Sequence, residues 1–293
     1  MEQYSFKLEK AYKNVYIYLK EKGYAENYIR NLRKQMGYIK INDIPATTKS
    51  HLNEGDILTL IANPNKKTTI MHCILALNIV YEDEYYLLIN KPSGLSSMPS
   101  RSHYTENLSG AICYYMDSKD KNFTLRMINR LDKDTAGLIL VAKDSIAQKE
   151  INFLQKKYVA ICKGKLDKKL TIDSPIQTIT KNGINKLSRE INELGQPATT
   201  FVTPISFTDT ASLVELELIH GRTHQIRVHL SSIGHPLIGD DIYGEKSQLI
   251  DHTALICNQF EFYHPFLNKI LSFKIDYEDD FKKLIETLGL SNK

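Results

Sequence analysis

The 293-residue chain is 42% hydrophobic and 25% charged, which is typical of a globular protein with a sizeable core and more than one domain. Its net charge of +4 permits a nucleic-acid partner without requiring one. Its four cysteines, Cys73, Cys113, Cys162 and Cys257, lie far apart with no paired spacing, so neither a zinc site nor a disulfide framework follows from the pattern, and we expect reduced thiols. The first residues lack the apolar core of a signal peptide, and no stretch approaches the roughly 20 apolar residues of a membrane span, so we expect a cytoplasmic protein.

About the first sixty residues predict a small separate unit. Residues 26–37 are typical of a short amphipathic helix that ends at a glycine, and strand-like stretches follow at 38–42 and 52–60. One face of this helix is apolar and the other is basic, with Ile29, Leu32 and Met36 on the first and Arg30, Arg33 and Lys34 on the second. The basic face is equally compatible with contacts to RNA phosphates and with a surface that only keeps the unit in solution.

A polar, proline-containing linker at 63–68 separates this unit from a region rich in short strands. The clearest strand-like runs lie at 86–90, 138–142, 158–162 and 213–219, and a helix is expected near Thr223. The pattern predicts an α+β fold with a mixed, mainly antiparallel sheet. We expect a small α+β unit at 1–65 and a larger domain at 70–293.

The first candidate for chemistry is the stretch Arg-Leu-Asp at 130–132, which runs into an apolar strand. It predicts that Asp132 is held in a short polar loop at the mouth of a buried strand, with Arg130 beside it. A carboxylate held in that way is suited to act as a nucleophile or a charge stabiliser.

Two other interpretations of this loop were weighed. A calcium loop is excluded because Ala136 and Lys143 stand where ligands belong. A purely structural loop, in which Asp134 or Thr135 caps backbone donors, remains open on this stretch alone.

A second polar segment, Gly-Arg-Thr-His-Gln-Ile-Arg at 221–227, lies between a strand and a helix. Thr223 is suited to be the helix N-cap, and Arg222 together with the first backbone donors would form an anion site. Arg227 lies about one turn further along and could reach a neighbouring carboxylate. A surface helix with unrelated basic residues is the alternative, but it does not explain the density of planar donors.

The histidines of this segment also suggest zinc. His224 and His229 do not have the i, i+4 spacing of a zinc-binding helix, and two arginines would repel a divalent cation. No metal is therefore expected.

These stretches resemble the motifs of the large-ribosomal-subunit pseudouridine synthase A (RluA) family. The motifs occur in family order over about two thirds of the chain, at 81–86, 90–95, 130–138, 156–160, 195–200, 221–227 and 234–243. The unit at 1–65 similarly resembles the S4-type RNA-binding domain that precedes the catalytic domain in many such enzymes.

The resemblance implies specific roles. Asp132 would be the essential aspartate of pseudouridine formation, and Tyr158 would stack on the target base and take part in proton transfer at C5. Arg227 would pair with the aspartate, and Arg130 would help to displace the target nucleotide from its stack. Leu255 would line the pocket wall.

Further residues are expected to contact RNA or to support the site. Arg222 and His224 are expected beside the substrate, and Lys91 with Gly94 would shape the strand and turn beneath it. Phosphate contacts from the S4-like unit are expected from Arg30, Arg33 and Lys34.

Two positions depart from the family pattern. Asn129 stands where many members have histidine, and Ala136 replaces a common serine. Asn129 can still form local hydrogen bonds, so we interpret both changes as subfamily variation that affects RNA contacts more than the reaction.

The implied reaction breaks the N1–C1′ bond of a uridine and rejoins the base through C5. It includes no redox step, so no cofactor is expected. It needs one carboxylate and a site that excludes water, and the uridine must leave its stack. We expect a monomer that acts on RNA, with ribosomal RNA as the commonest family target and transfer RNA as an alternative.

Two other functions remain open on the sequence. One is an RNA-binding or ribosome assembly factor of the same fold that does not turn over. The other is a nucleic-acid glycosidase, which would release free uracil and usually needs a second carboxylate; Asp134 is the near candidate.

Overall fold

The computed structural model of the chain describes residues 3–33, 37–61, 70–99, 105–119, 125–152, 154–180 and 187–291. These residues form a small sheet near the N-terminus, a large central sheet and a separate two-stranded hairpin. The linker predicted at 63–68, as well as Lys34 and Met36 of the predicted helix, lie outside the described residues. Within the described ranges, no helix is both long and apolar enough to span a bilayer.

The N-terminal part contains a four-stranded sheet and two helices. Its elements are β1 (Gln3–Lys7), α1 (Val15–Glu21), α2 (Glu26–Arg33), β2 (Ile39–Ile41), β3 (Ile44–Pro45) and β4 (Ile57–Ile61), with strand order β1-β4-β2-β3. The amphipathic helix predicted near residue 26 is confirmed as α2, and its Ile29 and Leu32 are buried. The strand β1, which the sequence did not indicate, pairs with β4 at the edge of this sheet.

The rest of the described chain is dominated by the large sheet. Its elements are β5 (Asn78–Glu82), β6 (Tyr86–Lys91), α3 (Leu108–Asp117), β7 (Arg126–Met127), β8 (Ala136–Ala142), α4 (Ser145–Glu150), β9 (Leu154–Lys163), β10 (Leu170–Asp173), β11 (Ile176–Thr180), β12 (Leu187–Ile191), β13 (Thr199–Phe207), β14 (Ala211–Leu218), α5 (Gln225–Ser232), β15 (Leu255–His264), β16 (Lys269–Lys274) and α6 (Asp279–Thr287). The strand order is β10-β13-β14-β9-β15-β8-β6-β5, with β16 beside β15 and β7 beside β8, while β11 and β12 pair as a hairpin of their own.

The pairing of β8 with β15 is parallel, and the other described pairings of this sheet are antiparallel. The predicted mixed, mainly antiparallel sheet is therefore confirmed. All seven residues of β8 are buried, because the strand lies inside the sheet with both faces covered.

The centre of the sheet brings the Asp132 loop next to Tyr158. Cys257 of β15 pairs with Gly137 at the start of β8 on one side and with Tyr158 of β9 on the other. Gly137 has a φ of +116°, and a Cβ atom there would lie 2.3 Å from the Cys257 carbonyl oxygen. Because only glycine permits this approach, the Thr-x-Gly pattern after Asp132 is explained by strand packing.

The N-terminal part packs against α4. Ile146 of α4 is fully buried among the apolar residues of the N-terminal part. The Tyr24 hydroxyl donates a 2.6 Å hydrogen bond to Glu150 at the end of α4, and the Tyr4 hydroxyl donates to Asp144, the N-cap of that helix. Apolar burial and two tyrosine hydrogen bonds thus join the small sheet to the large one.

Candidate active-site cleft

A cleft of about 410 Å³ opens where the Asp132 loop meets β9, the start of β15 and the loop before α5. The site residues expected in the larger domain all line it: Asp132, Tyr158, Arg227, Arg130, Arg222, His224 and Leu255. Arg30 and Arg33 lie on α2, outside the cleft, and Lys34 lies outside the described residues.

The Asp132 loop is held by side chains that act as backbone partners. The Asn129 amide donates to the Leu138 carbonyl at 3.0 Å and accepts from the Leu140 N–H at 2.8 Å, as a neighbouring strand would. The Ser97 hydroxyl donates to the Leu131 carbonyl at 2.6 Å. The expectation that Asn129 hydrogen-bonds locally is confirmed, and its bonds anchor the loop to β8.

A buried lysine supports the same loop from below. The Lys91 ammonium is fully buried and donates to three carbonyls, those of Pro92 and Leu95 at 2.8 Å and that of Lys133 at 3.0 Å. Burial lowers the pKa of Lys91 to about 8, although the negative charge of Asp134 opposes the shift. Lys91 therefore joins the turn after β6 to the loop of Asp132, as expected of a residue that shapes the site from beneath.

Asp132 faces nitrogen atoms of two side chains, His224 and Arg227, each of which is held in position by another residue. Its Oδ2 lies 3.9 Å from His224 Nε2 and 4.0 Å from Arg227 Nη1. The Arg227 fork is occupied by Asp240, with both N–O distances 2.7 Å. Burial alone would lower the pKa of Arg227, but the hydrogen bonds and charge of Asp240 outweigh it and raise that pKa. The resemblance implied that Arg227 pairs with Asp132. The close bidentate pair of Arg227 is instead with Asp240, and its remaining nitrogen, Nη1, is directed towards Asp132.

The prediction of Thr223 as N-cap of α5 is wrong. The helix begins at Gln225, and its N-cap is His224, which has a φ of +57° and makes no side-chain cap bond. The Gln225 side chain accepts the Arg222 N–H at 2.9 Å, and the Gln225 N–H donates to the Arg222 carbonyl at 3.1 Å, so these two residues close the turn before the helix. This geometry turns the imidazole of His224 towards Asp132.

A hydrogen-bond chain determines the orientation of that imidazole. The Arg189 backbone N–H donates to the Tyr243 hydroxyl oxygen at 3.0 Å, and the Tyr243 hydroxyl lies 2.9 Å from His224 Nδ1. Burial lowers the pKa of His224, and the charges of Arg227 and Arg189 lower it further against the opposing charge of Asp132. Since the Tyr243 oxygen already accepts the Arg189 N–H, its O–H is available to donate to Nδ1, and this arrangement favours the neutral tautomer with its proton on Nε2, facing Asp132.

The part of the cleft wall formed by β9 is aromatic and basic. Tyr158 is 6% exposed, and burial together with the neighbouring Cys257 and Asp132 raises its pKa well above the ordinary value. Lys156, two residues earlier on β9, also lines the cleft, and burial lowers its pKa. Asp132 is the only acidic residue among the described residues that line the cleft.

Comparison with known proteins shows the family to which the chain belongs. A family model described as RNA pseudouridylate synthase matches residues 85–232, just over half of the chain. The chain belongs to this RNA pseudouridine synthase family.

Relatives extend the match beyond the family model. The chain is 35% identical over 258 residues to an uncharacterized RNA pseudouridine synthase, YhcT, of Bacillus subtilis, covering 85% of this chain and 84% of the relative. It is 30% identical over 266 residues to ribosomal large subunit pseudouridine synthase D of Nitrosomonas europaea, covering 85% and 76% of the two chains. The solved structure of human RNA pseudouridylate synthase domain containing 1 shares the fold with a TM-score of 0.57 at 20% identity, over 75% of this chain and 97% of that one.

Some residues that line the cleft of this RNA pseudouridine synthase, or that hold its lining residues, were not assigned a role from the sequence. Asp240 and Tyr243 belong to the motif at 234–243, and Lys156 opens the motif at 156–160. Their positions inside recognised motifs were the available signal. Which partner each would meet depended on the fold.

Proposed function

We propose that this RNA pseudouridine synthase converts a uridine in RNA to pseudouridine in the cleft around Asp132. The observation that carries the proposal is the Asp132 carboxylate, alone among the described residues of the cleft, within 4.0 Å of the His224 imidazole and the Arg227 guanidinium, in a cleft that a buried tyrosine also lines. The target nucleotide would leave its stack and enter the cleft, with Arg130, which is exposed at the rim, filling the space it leaves.

In this proposal Asp132 attacks or stabilises the reacting sugar–base unit while the N1–C1′ bond breaks. The base then turns and bonds to C1′ through C5. The C5 proton leaves to solvent and N1 takes up a proton, so the product is an isomer of the substrate. Tyr158 stacks on the base as a neutral phenol, because its raised pKa keeps the hydroxyl protonated before substrate binds. Leu255, together with the other apolar side chains of the cleft, excludes water that would release the base.

The inventory of acids supports isomerisation over glycoside hydrolysis. Hydrolysis by paired carboxylates needs a second acid roughly 5 to 9.5 Å from the first with access to the scissile bond. Asp134 is not among the cleft residues, and Asp240 is fully buried in its pair with Arg227. Asn129, Ser97 and Lys91 hold the backbone of the loop that carries Asp132, and a reacting carboxylate needs such fixed geometry more than an RNA-binding loop does.

We further propose large-subunit ribosomal RNA as the substrate, since the Nitrosomonas relative is named for the large ribosomal subunit. In this scheme residues 1–65 form an S4-like unit in which Arg30 and Arg33 contact phosphates, and residues 70–293 form the catalytic domain. Arg222 and His224 contact the RNA at the cleft. A monomeric state and a cytoplasmic location stay predictions from the sequence.

Tritium release from RNA labelled at uridine C5 tests the proposal. Ribosomal and transfer RNA transcripts are compared separately, and free uracil is counted in parallel. We expect release by the wild type without free uracil, and a loss of at least ~10³-fold in Asp132→Asn because the reacting carboxylate is gone. Asp134→Asn serves as the matched control and should retain activity.

Each alternative has its own outcome. RNA binding without tritium release from any transcript would favour the non-catalytic role. Free uracil in step with tritium release would favour the glycosidase. Release from transfer RNA alone would overturn the ribosomal assignment and keep the reaction.

A further inference from the structure

A second cavity, the hairpin pocket, lies beside the cleft and has a volume of about 420 Å³. Its walls are the start of β11 at 176–178, Arg189 of β12, the turn at 194–196 and the loop at 221–223. The loop at 221–223 also lines the cleft, so the two cavities share a wall. A volume of this size is within the range of small-ligand pockets.

Two arginines in the hairpin pocket have nitrogen donors to spare. Arg222 Nε donates to the Pro197 carbonyl at 3.1 Å, and Arg189 Nη1 donates to the Ser188 carbonyl at 3.1 Å. Among the described residues, neither guanidinium has a carboxylate within the 4.0 Å ion-pair distance. Each is held by one neutral bond and presents its other donors without a protein anion, which suits a phosphate.

The same pocket has a rigid apolar rim. Leu194 is 87% exposed, and its backbone N–H is held by the Asn192 side chain at 3.0 Å. Gly195 packs so closely on β11 that a Cβ atom would lie 2.5 Å from the Ile176 carbonyl carbon. The backbone of the turn is therefore preformed, and its exposed leucine lines the same pocket as the two arginines. Apolar surface next to cations fits the face and phosphate of a nucleotide better than it fits an inorganic anion.

Amide side chains complete the chemistry of the pocket. Gln177 is half-buried and Gln196 is exposed, and both line it. An amide both donates and accepts, so it can read the edge of a base. Cationic, amide and apolar groups are the three kinds of contact that a single-stranded nucleotide makes.

We propose that the hairpin pocket binds the nucleotide next to the target uridine in the RNA strand, with its phosphate on Arg189 and Arg222 and its base on Leu194. This rests on the proposed function, which puts the uridine in the cleft. The shared wall at 221–223 makes the two cavities neighbours, so an RNA strand with its uridine in the cleft can place an adjacent nucleotide in the hairpin pocket. Arg189 also belongs to the chain through Tyr243 to His224, so an occupied pocket is linked to the group that faces Asp132.

Binding of short RNA probes tests the proposal. The probe is a fluorescein-labelled pentanucleotide with one central uridine between adenosines, which sets the register. Two further probes lack the base at either the second or the fourth position. Fluorescence anisotropy gives Kd for the wild type, Leu194→Ala, Arg189→Gln and the control Leu267→Ala, an exposed leucine in the turn between β15 and β16.

We expect one abasic probe, and not the other, to bind the wild type about tenfold more weakly than the intact probe, because contact with one base is lost. In Leu194→Ala that penalty should fall below about twofold, whereas Leu267→Ala should keep it. Arg189→Gln should weaken the binding of all three probes by a similar factor, since it removes a phosphate partner. The slope of log Kd against log salt concentration should fall by the amount expected for about one phosphate contact.

Other results overturn the proposal. These are equal binding of all three probes, an abasic penalty that persists unchanged in Leu194→Ala, or the absence of measurable binding by any probe. The tritium assay is separate, so the two hypotheses fail separately. A pocket-dependent penalty in a protein that makes no pseudouridine would refute the reaction and keep the subsite.

Discussion

The cations of the cleft and the cations of α2 are held in different ways. Arg227 is almost fully buried and bonded through two nitrogens to a buried aspartate. Arg30 is exposed and bonded to Asn27, and Arg33 donates to Thr48 while lying over the Tyr16 ring. Attack at a sugar carbon requires groups held to within a fraction of an ångström, whereas attraction of a phosphate requires only charge within reach. Substitutions in the cleft should therefore act mainly by displacing groups from their positions. Substitutions on α2 should act mainly by removing positive charge.

The largest effect is expected for Asp240→Asn. The change leaves Arg227 buried without its anion, and breaking a buried pair in this way costs about 3 to 5 kcal/mol in the free energy of unfolding. Urea unfolding measures this loss. Asp241→Asn is the control, because Asp241 is the exposed neighbour and should change stability by less than ~0.5 kcal/mol. Equal stability of the two variants would show that the pair does not hold the cleft.

The pH dependence of the unfolding free energy of Lys91→Met should distinguish a buried lysine that positions the loop from an exposed lysine. The pKa of Lys91 is lowered from 10.5 to about 8, so the folded protein releases this proton before the unfolded chain does. Between pH 8 and 10.5 the unfolded state binds more protons, and wild-type stability should rise relative to Lys91→Met by up to ~3 kcal/mol. Below pH 8 the difference should be constant.

Unfolding free energies at pH 7, 8, 9 and 10 measure this dependence. Lys133→Met, an exposed lysine on the Asp132 loop, is the control and should follow the wild type across the series. A flat difference between wild type and Lys91→Met would mean that Lys91 titrates as an ordinary lysine.

Tyr243→Phe should have a smaller effect, confined to catalysis. The variant keeps the ring beneath Arg227 but leaves the Arg189 N–H and His224 Nδ1 without the hydroxyl between them. Because His224 is then free to present the wrong nitrogen to Asp132, we expect kcat to fall about tenfold with little change in KM. Single-turnover tritium release measures it, with Tyr263→Phe, outside the cleft, as the control. A large rise in KM with unchanged kcat would contradict an orienting role.

The smallest change is expected on α2. Replacing Arg30 and Arg33 together by glutamine should weaken RNA binding and reduce its salt slope by roughly one per lost phosphate contact. The control is the double change Lys269→Gln and Lys283→Gln, which removes the same charge from exposed positions on β16 and α6. An equal slope in both double variants would mean that α2 acts only through net charge.

Local pattern predicted much of this fold. The buried strand β8 and the amphipathic helix α2 were evident because hydrophobic periodicity depends on neighbouring residues. The short strand β1 was not, since its pairing with β4 is a long-range contact. The N-cap of α5 was misassigned because the Gln225 N–H donates to the Arg222 carbonyl, and the residue before the helix, His224, takes a left-handed conformation that capping preferences do not predict.

The sequence by itself indicated which residues we expect to carry chemistry, because Asp132, Tyr158 and Arg227 stand in motifs that can be compared letter by letter, and the structure brings all three into one cleft. Only the tertiary structure decided which other groups hold these side chains, and their neighbours in the cleft, in position. Arg189 lies 54 residues from Tyr243, and Tyr243 lies 19 from His224, yet the three form one chain of hydrogen bonds. Such partners are chosen by how strands and loops pack, and a hydrogen bond forms wherever the fold brings a donor to an acceptor, whatever their separation along the chain.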